Sequence, residues 1–543
     1  MNDDLFRNLT QALQQDGGLL LFCLACAAWG SLLAFAALKR AAAAERFSDA
    51  ELAALALAGW PLPALLLAVP TLGLHLLLPG PWTVALALGG MLVTGGLALR
   101  AVWGNVKLSA GLPALAFLAF VLLRIGYVAG AALPAYFDSP EHYRIIQILL
   151  AGPSAWPTDS YYHLGYHLLA AGLAAVTRGD IARVMLVLGQ VIVAALPLPM
   201  YFFVRRATGQ ERAAWLAVVF AGLGWFVPAH AVNWGKYPAL LGMLVFQFSL
   251  GLALLDLRKP ALAAAFFAAA IHTRMIVLFA VCVAAWLLAS RPKLGWLLMA
   301  GALGVLAWRY RDLGALWEAY GNGSLLLAAL LALLAVRAFP RLLTGGLFAA
   351  FIGLALTVLP PAFPILDRPL TEMLLSLPLA WLGGLGASRL PKWGHPLLAA
   401  ALLIHAWTSY SFAPSACCQL AGREDLAAME WIRQNTPEDA RILIARSDYS
   451  LGGATLYGMG VDAGLWITPL TGRVTPGLPP ATDFSQFDSY RQLCWGQVAY
   501  VYVGNKDVSF KLDGLQSNPN RYQTVFPLPN VSIVQVLGCP PAE

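Results

Sequence analysis

The chain has 543 residues, of which 59% are hydrophobic and only 12% charged, with a mean hydropathy of +0.69. Soluble domains carry about 25% charged residues, so composition excludes a string of soluble domains, a disordered chain, a collagen and a small disulfide scaffold. The net charge of +7 comes without any basic stripe interleaved with aromatics, so no nucleic-acid partner is expected and the basic excess reads as loop charge at a lipid bilayer.

Taken in chain order, apolar segments fall at approximately 17–38, 54–78, 82–103, 111–132, 181–204, 213–229, 237–256, 260–273, 275–290, 294–308, 324–337, 342–360, 370–387 and 395–412. Many are long enough to cross a ~30 Å hydrocarbon layer as a helix, giving about fourteen crossings. With the N-terminus outside, the inner turns carry Lys39, Arg40 and Arg46; Arg100 and Lys107; Arg205, Arg206 and Arg212; Arg258 and Lys259; Arg291 and Lys293; Arg337 and Arg341; Arg389 and Lys392. That satisfies the positive-inside rule at each inner turn, provided that 163–176 lies at the outer surface and does not cross. The opening residues, with Asp3, Asp4 and Arg7, lack a positive n-region, so no cleavable signal is expected.

Beyond about residue 413 the chain turns polar. Residues 424–434 read as an amphipathic helix, and 441–445, 498–503 and 531–537 as strands. The expected fold is therefore a polytopic α-helical membrane protein with a C-terminal extracytoplasmic α/β domain. The expected divisions are 1–110 (N-terminal membrane helices), 111–415 (membrane core with an external loop at 133–180) and 416–543 (outer domain). Cys417, Cys418, Cys494 and Cys539 lie in or beside that domain, and an even number on an oxidising side permits two disulfides. A bond between adjacent Cys417 and Cys418 is strained, so each is expected to pair with Cys494 or Cys539.

Four polar clusters stand out against the apolar background. The first outer loop holds Asp138, Glu141 and His142, with Pro140 suited to a helix start and Asp138 or Ser139 to its cap. A carboxylate at the membrane face can accept a proton from an incoming hydroxyl, and Glu141 and His142 could bind metal, position substrate or share the base role. The second, DSYYHLGYH at 159–167, puts His163 and His167 four residues apart, a spacing that on a helix serves either a metal or anchoring in the headgroup layer. The third, HAVNWGKYP at 230–238, offers Asn233, Tyr237 and the cation Lys236, which snorkels to bulk lipid or holds one particular phosphate. The fourth is His272, Thr273 and Arg274 inside an apolar stretch, where an unsupported charge costs at least ~2.5–3.5 kcal/mol at the bilayer centre. Arg124 has the same need and is expected to pair with a loop carboxylate, and Arg309 and Arg311 fall in another outer loop. The stretch 452–464 and Thr471–Gly472–Arg473 are either glycan contacts or plain loop. No Walker-type or Rossmann glycine motif is present, so an activated substrate has to arrive in the lipid.

The layout resembles the GT-C superfamily of membrane glycosyltransferases, through FDSPEHY (137–143), YYHLGYHLL (161–169), the helical hairpin at 183–222, NWGKYP (233–238), IHTRM (271–275) and AMEWIRQNTPEDARIL (428–443). The resemblance covers roughly residues 110–543. It departs from the family in having about three crossings before the acidic loop, no tryptophan-rich oligosaccharyltransferase motif and no second acidic motif at 230–238. It implies a sugar transferred from a polyprenyl-phosphate donor to an acceptor hydroxyl on a glycan, lipid or protein, at the outer face of the cell (inner or plasma) membrane. On that likeness Asp138 is the general base, with Glu141 and His142 beside it. Lys236, His272 and Arg274 hold the donor phosphate, and His163, His167, Asn233 and Tyr237 contact substrate. No cofactor is certain; a divalent metal (Mg or Mn) is left open. The competing classes are a lipid or solute transporter or flippase, against which stands the lack of a clear internal repeat, and a membrane scaffold anchoring the outer domain.

Overall fold

The computed structural model describes residues 2–41, 47–152, 163–308, 322–358, 368–451 and 454–539. The expectations attached to Asp159, Arg309 and Arg311 lie outside these residues. The chain is mostly helical and divides into two units. The first comprises 1–129, 146–232 and 236–413; the second comprises 130–145, 233–235 and 414–543.

The first unit is all-helical. It opens with α1 (Asn2–Ala41), α2 (Asp49–Gly59), α3 (Pro61–Leu77), α4 (Pro81–Val102) and α5 (Gly111–Gly130). α6 (Asp138–Ala151) crosses the division between the units, and α7 (Gly165–Thr177), α8 (Ile181–Ala195), α9 (Pro199–Thr208), α10 (Glu211–Leu223), α11 (Tyr237–Leu254), α12 (Arg258–Ile271), α13 (Met275–Ser290) and α14 (Pro292–Trp308) follow. Further helices run Asn322–Ala335, Pro340–Val358, Arg368–Ala387 and Gly394–Ser409. Among the described residues six helical stretches are long and apolar enough to cross a membrane: Phe6–Ala41, Asp49–Leu77, Pro81–Val102, Leu108–Gly130, Ile181–Thr208 and Tyr237–Leu254. A seventh candidate is the pair Met275–Ser290 and Lys293–Gly301, bent by 117°. Several of the other expected crossings fall on apolar helices of 10–17 residues, Gly323–Ala335, Pro340–Gly353 and Glu372–Ala387, and Gly165–Thr177, in the stretch expected not to cross, is another such short helix.

Burial sorts these helices. α8 and α11 are enclosed on nearly all sides, whereas α4 turns Leu86, Leu88, Leu92, Val93, Leu97 and Leu99 outward. A contiguous outward apolar surface of this kind suits a lipid neighbour, and a helix is the element whose backbone needs no partner there. Short polar locks hold the α1–α4 region at its basic turns. Ser48 and Glu51 form a reciprocal capping box at the start of α2. Asp49 accepts from Lys39 Nζ at 2.7 Å and from the backbone N–H of Lys107 at 2.6 Å. Asp16 on α1 pairs with Arg183 on α8, burying the carboxylate.

The second unit carries the sheet. β1 (Arg441–Leu451), β2 (Ala454–Gly460), β3 (Gly477–Leu478), β4 (Val498–Val503), β5 (Tyr522–Pro527) and β6 (Ser532–Val536) are ordered β2-β1-β4-β6-β5, with β3 beside β1. The β1–β4 and β1–β3 pairs are parallel and the rest antiparallel. The helix expected at 424–434 is Arg423–Asn435, and the three expected strands are β1, β4 and β6. The apolar side chains of these three strands meet Phe484, Leu493, Phe510 and Leu515 in one core. The expected cysteine pairing is corrected here. Cys494 and Cys539 bond to each other, because the end of helix Phe487–Trp495 brings their Cα atoms to 5.2 Å. Cys417 and Cys418 remain thiols, with sulfurs 2.9 Å apart.

Candidate functional site

In the second unit the acidic loop is built by a sharp backbone turn. Tyr136 has φ 68, a left-handed conformation costly for a bulky residue, and its N–H is held by the carbonyl of Cys418 at 3.0 Å. That turn starts α6, whose first residue is Asp138, a half-buried side chain. Ser139 donates its hydroxyl to the carbonyl of Ala135 and is fully buried. Gly235, at φ +65, lies directly against this helix start: a Cβ there would stand 2.8 Å from Ser139 Oγ and 3.3 Å from Asp138 Cβ. Glycine is needed twice over, for the backbone angle and for the approach. His142 Nε2 donates to the carbonyl of Gly235 at 3.1 Å, which closes the contact.

Glu141 takes a different neighbour. It accepts from Arg144 Nε and Nη2 at 2.9 and 2.6 Å on the exposed side of α6. Asn233 is fully buried and accepts the N–H of Ser415 through Oδ1 at 2.9 Å. The second unit therefore gathers Asp138, His142, Asn233 and Gly235, from two loops that sequence reading treated as separate clusters.

In the first unit the break between α12 and α13 carries His272 and Arg274, with Arg274 as the N-cap of α13. Gly242 on α11 gives the break room, since a Cβ there would meet His272 Cβ at 3.2 Å. Gly165 is tighter still, since a Cβ there would stand 2.5 Å from Ile271 Cγ1, so the chain entering α7 passes close by. His163 and His272 stand edge to face with ring centroids 4.4 Å apart. Burial first, and then the charge of Arg274, hold the His163 imidazole down at about 4, so it is neutral at physiological pH. The helical pairing expected for His163 and His167 is corrected: α7 begins at Gly165, after His163, and no helical turn joins the two. His167 is fully buried. Tyr237 is also fully buried, stacked on Tyr166 at 5.7 Å in the space that Gly189 leaves. Lys236, half-buried, caps α11, with its N–H on the carbonyl of Ala231.

Arg124 is corrected too. Its guanidinium is fully buried and meets a carboxamide in place of a carboxylate: Nε and Nη2 donate to Gln190 Oε1 at 2.9 and 2.6 Å. The carbonyls of Ser411 and Ala229 and the rings of Tyr127 and Tyr410 complete its surroundings. Nothing in the sequence marked Gln190 except its position in an apolar helix. In the sheet unit, Arg473 is absorbed by Thr436, Arg433 and Thr471, so it serves that fold.

A second buried polar group in the sheet unit escaped sequence reading. Asp425 and Asp462 are fully buried. Asp425 accepts from the Tyr502 hydroxyl and the Gly422 N–H, and Asp462 from Ser509 Oγ at 2.5 Å and the Gly464 N–H at 2.8 Å. Burial raises the Asp462 carboxyl to about 6 against these hydrogen bonds, and raises Asp425 in the same direction.

Among the described residues no group of three His, Cys, Asp or Glu side chains is gathered closely enough to hold a metal ion. The chain matches no protein-family model and no curated protein sequence.

Proposed function

We propose that this chain is an integral membrane glycosyltransferase of the GT-C kind, with about fourteen crossings and its sheet unit on the outer side of the cell membrane. A sugar carried on polyprenyl phosphate is the donor, and a hydroxyl of an envelope glycan, lipid or protein is the acceptor. Asp138 takes the hydroxyl proton. The acceptor oxygen then bonds to the anomeric carbon with inversion, the bond from that carbon to the phosphate oxygen breaks, and polyprenyl phosphate leaves with the electron pair. General-base help of this sort is worth typically 10²–10⁴-fold. Lys236 and Arg274 supply charge for the departing phosphate, with His272 beside Arg274, which is electrostatic catalysis.

The observation that carries this reading is the construction around Asp138. A strained Tyr136, a buried Ser139, a left-handed Gly235 and the His142 bond together fix the start of α6, well beyond what capping one helix requires. Glu141 is bound by Arg144 on the exposed side of α6. The second reading, a lipid or solute transporter, draws on the 117° bend between Met275–Ser290 and Lys293–Gly301, because broken helices are common at transporter sites.

Purified full-length protein in detergent is supplied with a labelled polyprenyl-phosphate sugar and an envelope glycan extract, beside Asp138→Asn. Labelled glycan from wild type and a loss of at least about 10²-fold in the variant is the expected result. Equal product from both removes Asp138 from the base role. Lipid movement in vesicles without any glycosidic bond formed supports the transporter.

A further inference from the structure

In the second unit the turn at 415–419 carries two thiols for which sugar transfer has no use. Ser415 anchors it: its N–H donates to Asn233 Oδ1 at 2.9 Å, and its carbonyl accepts the N–H groups of Cys418 and Gln419, each at 3.1 Å. This tight turn sets the sulfurs of adjacent Cys417 and Cys418 2.9 Å apart, less than ~1 Å beyond the ~2.05 Å of a disulfide bond. The two thiols differ in access. Cys417 is exposed, with the Ser415 hydroxyl 3.1 Å from its sulfur, whereas Cys418 is buried. Burial first, and then the hydrogen bond to Cys417, push the Cys418 thiol up to about 12, so Cys418 stays protonated at neutral pH and the exposed Cys417 sulfur is the one that meets reagents. Lys506 sets an ammonium beside the turn, donating to the carbonyl of Ala416 at 3.1 Å.

Cys418 is also a support of the acidic loop. Its carbonyl holds the N–H of Tyr136 at 3.0 Å, at the left-handed residue just before α6 and Asp138. A bond between neighbouring cysteines closes a small ring through their own peptide bond. Their Cα atoms are ~3.8 Å apart across a trans peptide, below the ~4.4–6.8 Å of ordinary disulfides, so closing that ring twists the backbone at Cys417 and Cys418. The twist acts on the Cys418 N–H and carbonyl, and so on the Ser415 turn and on the acceptor of Tyr136. A strained, accessible disulfide is also readily reduced again, as suits a switch better than a permanent brace.

We propose that Cys417 and Cys418 are a reversible dithiol–disulfide couple that exchanges with small-molecule disulfides and thiols, and that its bonded state loosens the Tyr136 turn at the start of α6. Cys417, having lost its proton to solvent, attacks one sulfur of an external disulfide RS–SR. The S–S bond breaks, a mixed disulfide forms on Cys417, and one RS⁻ leaves with the electron pair. Cys418 then gives its proton to solvent and attacks the Cys417 sulfur, which forms the Cys417–Cys418 bond and releases the second RS⁻. The external disulfide is reduced to two thiols and the cysteine pair is oxidised by two electrons; excess thiol reverses both steps. The structure holds the dithiol, and the bond follows when an external disulfide is in excess. The link to Tyr136 runs through the backbone and does not depend on the assignment of sugar transfer.

The test takes full-length protein in detergent through mixtures of reduced and oxidised glutathione, with alkylation before digestion. Trypsin releases 393–423, in which Cys417 and Cys418 are the only cysteines. Wild type is expected to pass from a peptide with two alkylated thiols to one that lacks two hydrogens and takes up no alkylating agent, and to return when reduced glutathione is restored. Hydrogen exchange at Tyr136 is expected to speed up roughly two- to tenfold in the bonded form, as the loss of one backbone hydrogen bond implies. Cys417→Ser should show neither change, and Cys418→Ala should stop at a glutathione mixed disulfide on Cys417. The wild-type and Cys417→Ser arms decide the matter even where Cys418→Ala fails to fold. A wild type that remains a dithiol at the most oxidising ratio, stops at the mixed disulfide or joins a second copy overturns the couple. A bonded form with Tyr136 exchange unchanged overturns its link to α6.

Discussion

The guanidinium of Arg124 on α5 is held by the side-chain oxygen of Gln190 on α8, at 2.9 Å from Nε and 2.6 Å from Nη2, inside the helical unit. A neutral partner makes this a charge solvated by dipoles, with two carbonyls and two tyrosine rings completing the shell. Replacing Gln190 by Leu removes the carboxamide and leaves the charge under-solvated, at a cost of about 1.5–3 kcal/mol. Arg124→Met combined with Gln190→Leu should cost less than the sum of the two single changes, because both act on one contact. Thermal unfolding of the four proteins in detergent measures this; simple additivity argues against the contact.

Asp138 and Glu141 are three residues apart and should behave differently. Asp138→Asn is expected to lower transfer by about 10²–10⁴-fold. Glu141→Gln removes an exposed ion pair, and such pairs contribute about 0–1 kcal/mol, so its effect on rate and melting should be small. Parallel rate and unfolding measurements decide it, and an equally large rate loss in Glu141→Gln would return that residue to the chemistry.

Gly235→Ala puts a methyl group into a left-handed backbone and against Ser139 Oγ. The conformational part alone costs about 1–2 kcal/mol. The turn at 233–235 should withdraw from α6, with the His142 bond lost and activity reduced although Asp138 is still present. Unfolding and turnover of the alanine variant check this; wild-type values for both would show that the approach is dispensable.

The buried Asp462 predicts a pH dependence of definite sign. Its folded-state value, about 6, lies above the ordinary 3.8, so between those values the folded protein holds more protons than the unfolded chain. Its contribution is therefore unfavourable above pH 6 and is relieved as pH falls toward 4, by on the order of 3 kcal/mol. Asp425 acts in the same direction and His163 in the opposite one, so the informative quantity is wild type compared with Asp462→Asn. The difference, wild type minus variant, should rise on acidification from pH 7 to 5. A difference independent of pH would place the ordinary carboxylate behaviour back on Asp462.

The bond between Cys494 and Cys539 joins positions 45 apart in the sequence, and closing a loop of that size is worth about 2–4 kcal/mol. Cys494→Ala with Cys539→Ala should destabilise the sheet unit by that order, read by hydrogen exchange in β4 and β6. Cys417, exposed and unbonded, should react with maleimide without prior reduction. Failure of that labelling would argue for a bond between Cys417 and Cys418.

The sequence by itself determined the class of the protein, because composition and long apolar runs act additively along a chain: each helix announces its own solvent. The helix at Arg423–Asn435 and three of the strands were legible for the same reason, through local periodicity. Several polar positions were also visible, since charge is conspicuous in an apolar stretch. Their partners were not. Gln190 under Arg124, His272 against His163, Gly235 against Asp138 and Cys539 with Cys494 are separated by 45 to 109 residues, and nothing local encodes such contacts. The tertiary structure alone decided them, because burial forces each polar group to find whichever acceptor or donor the packing brings within hydrogen-bond reach.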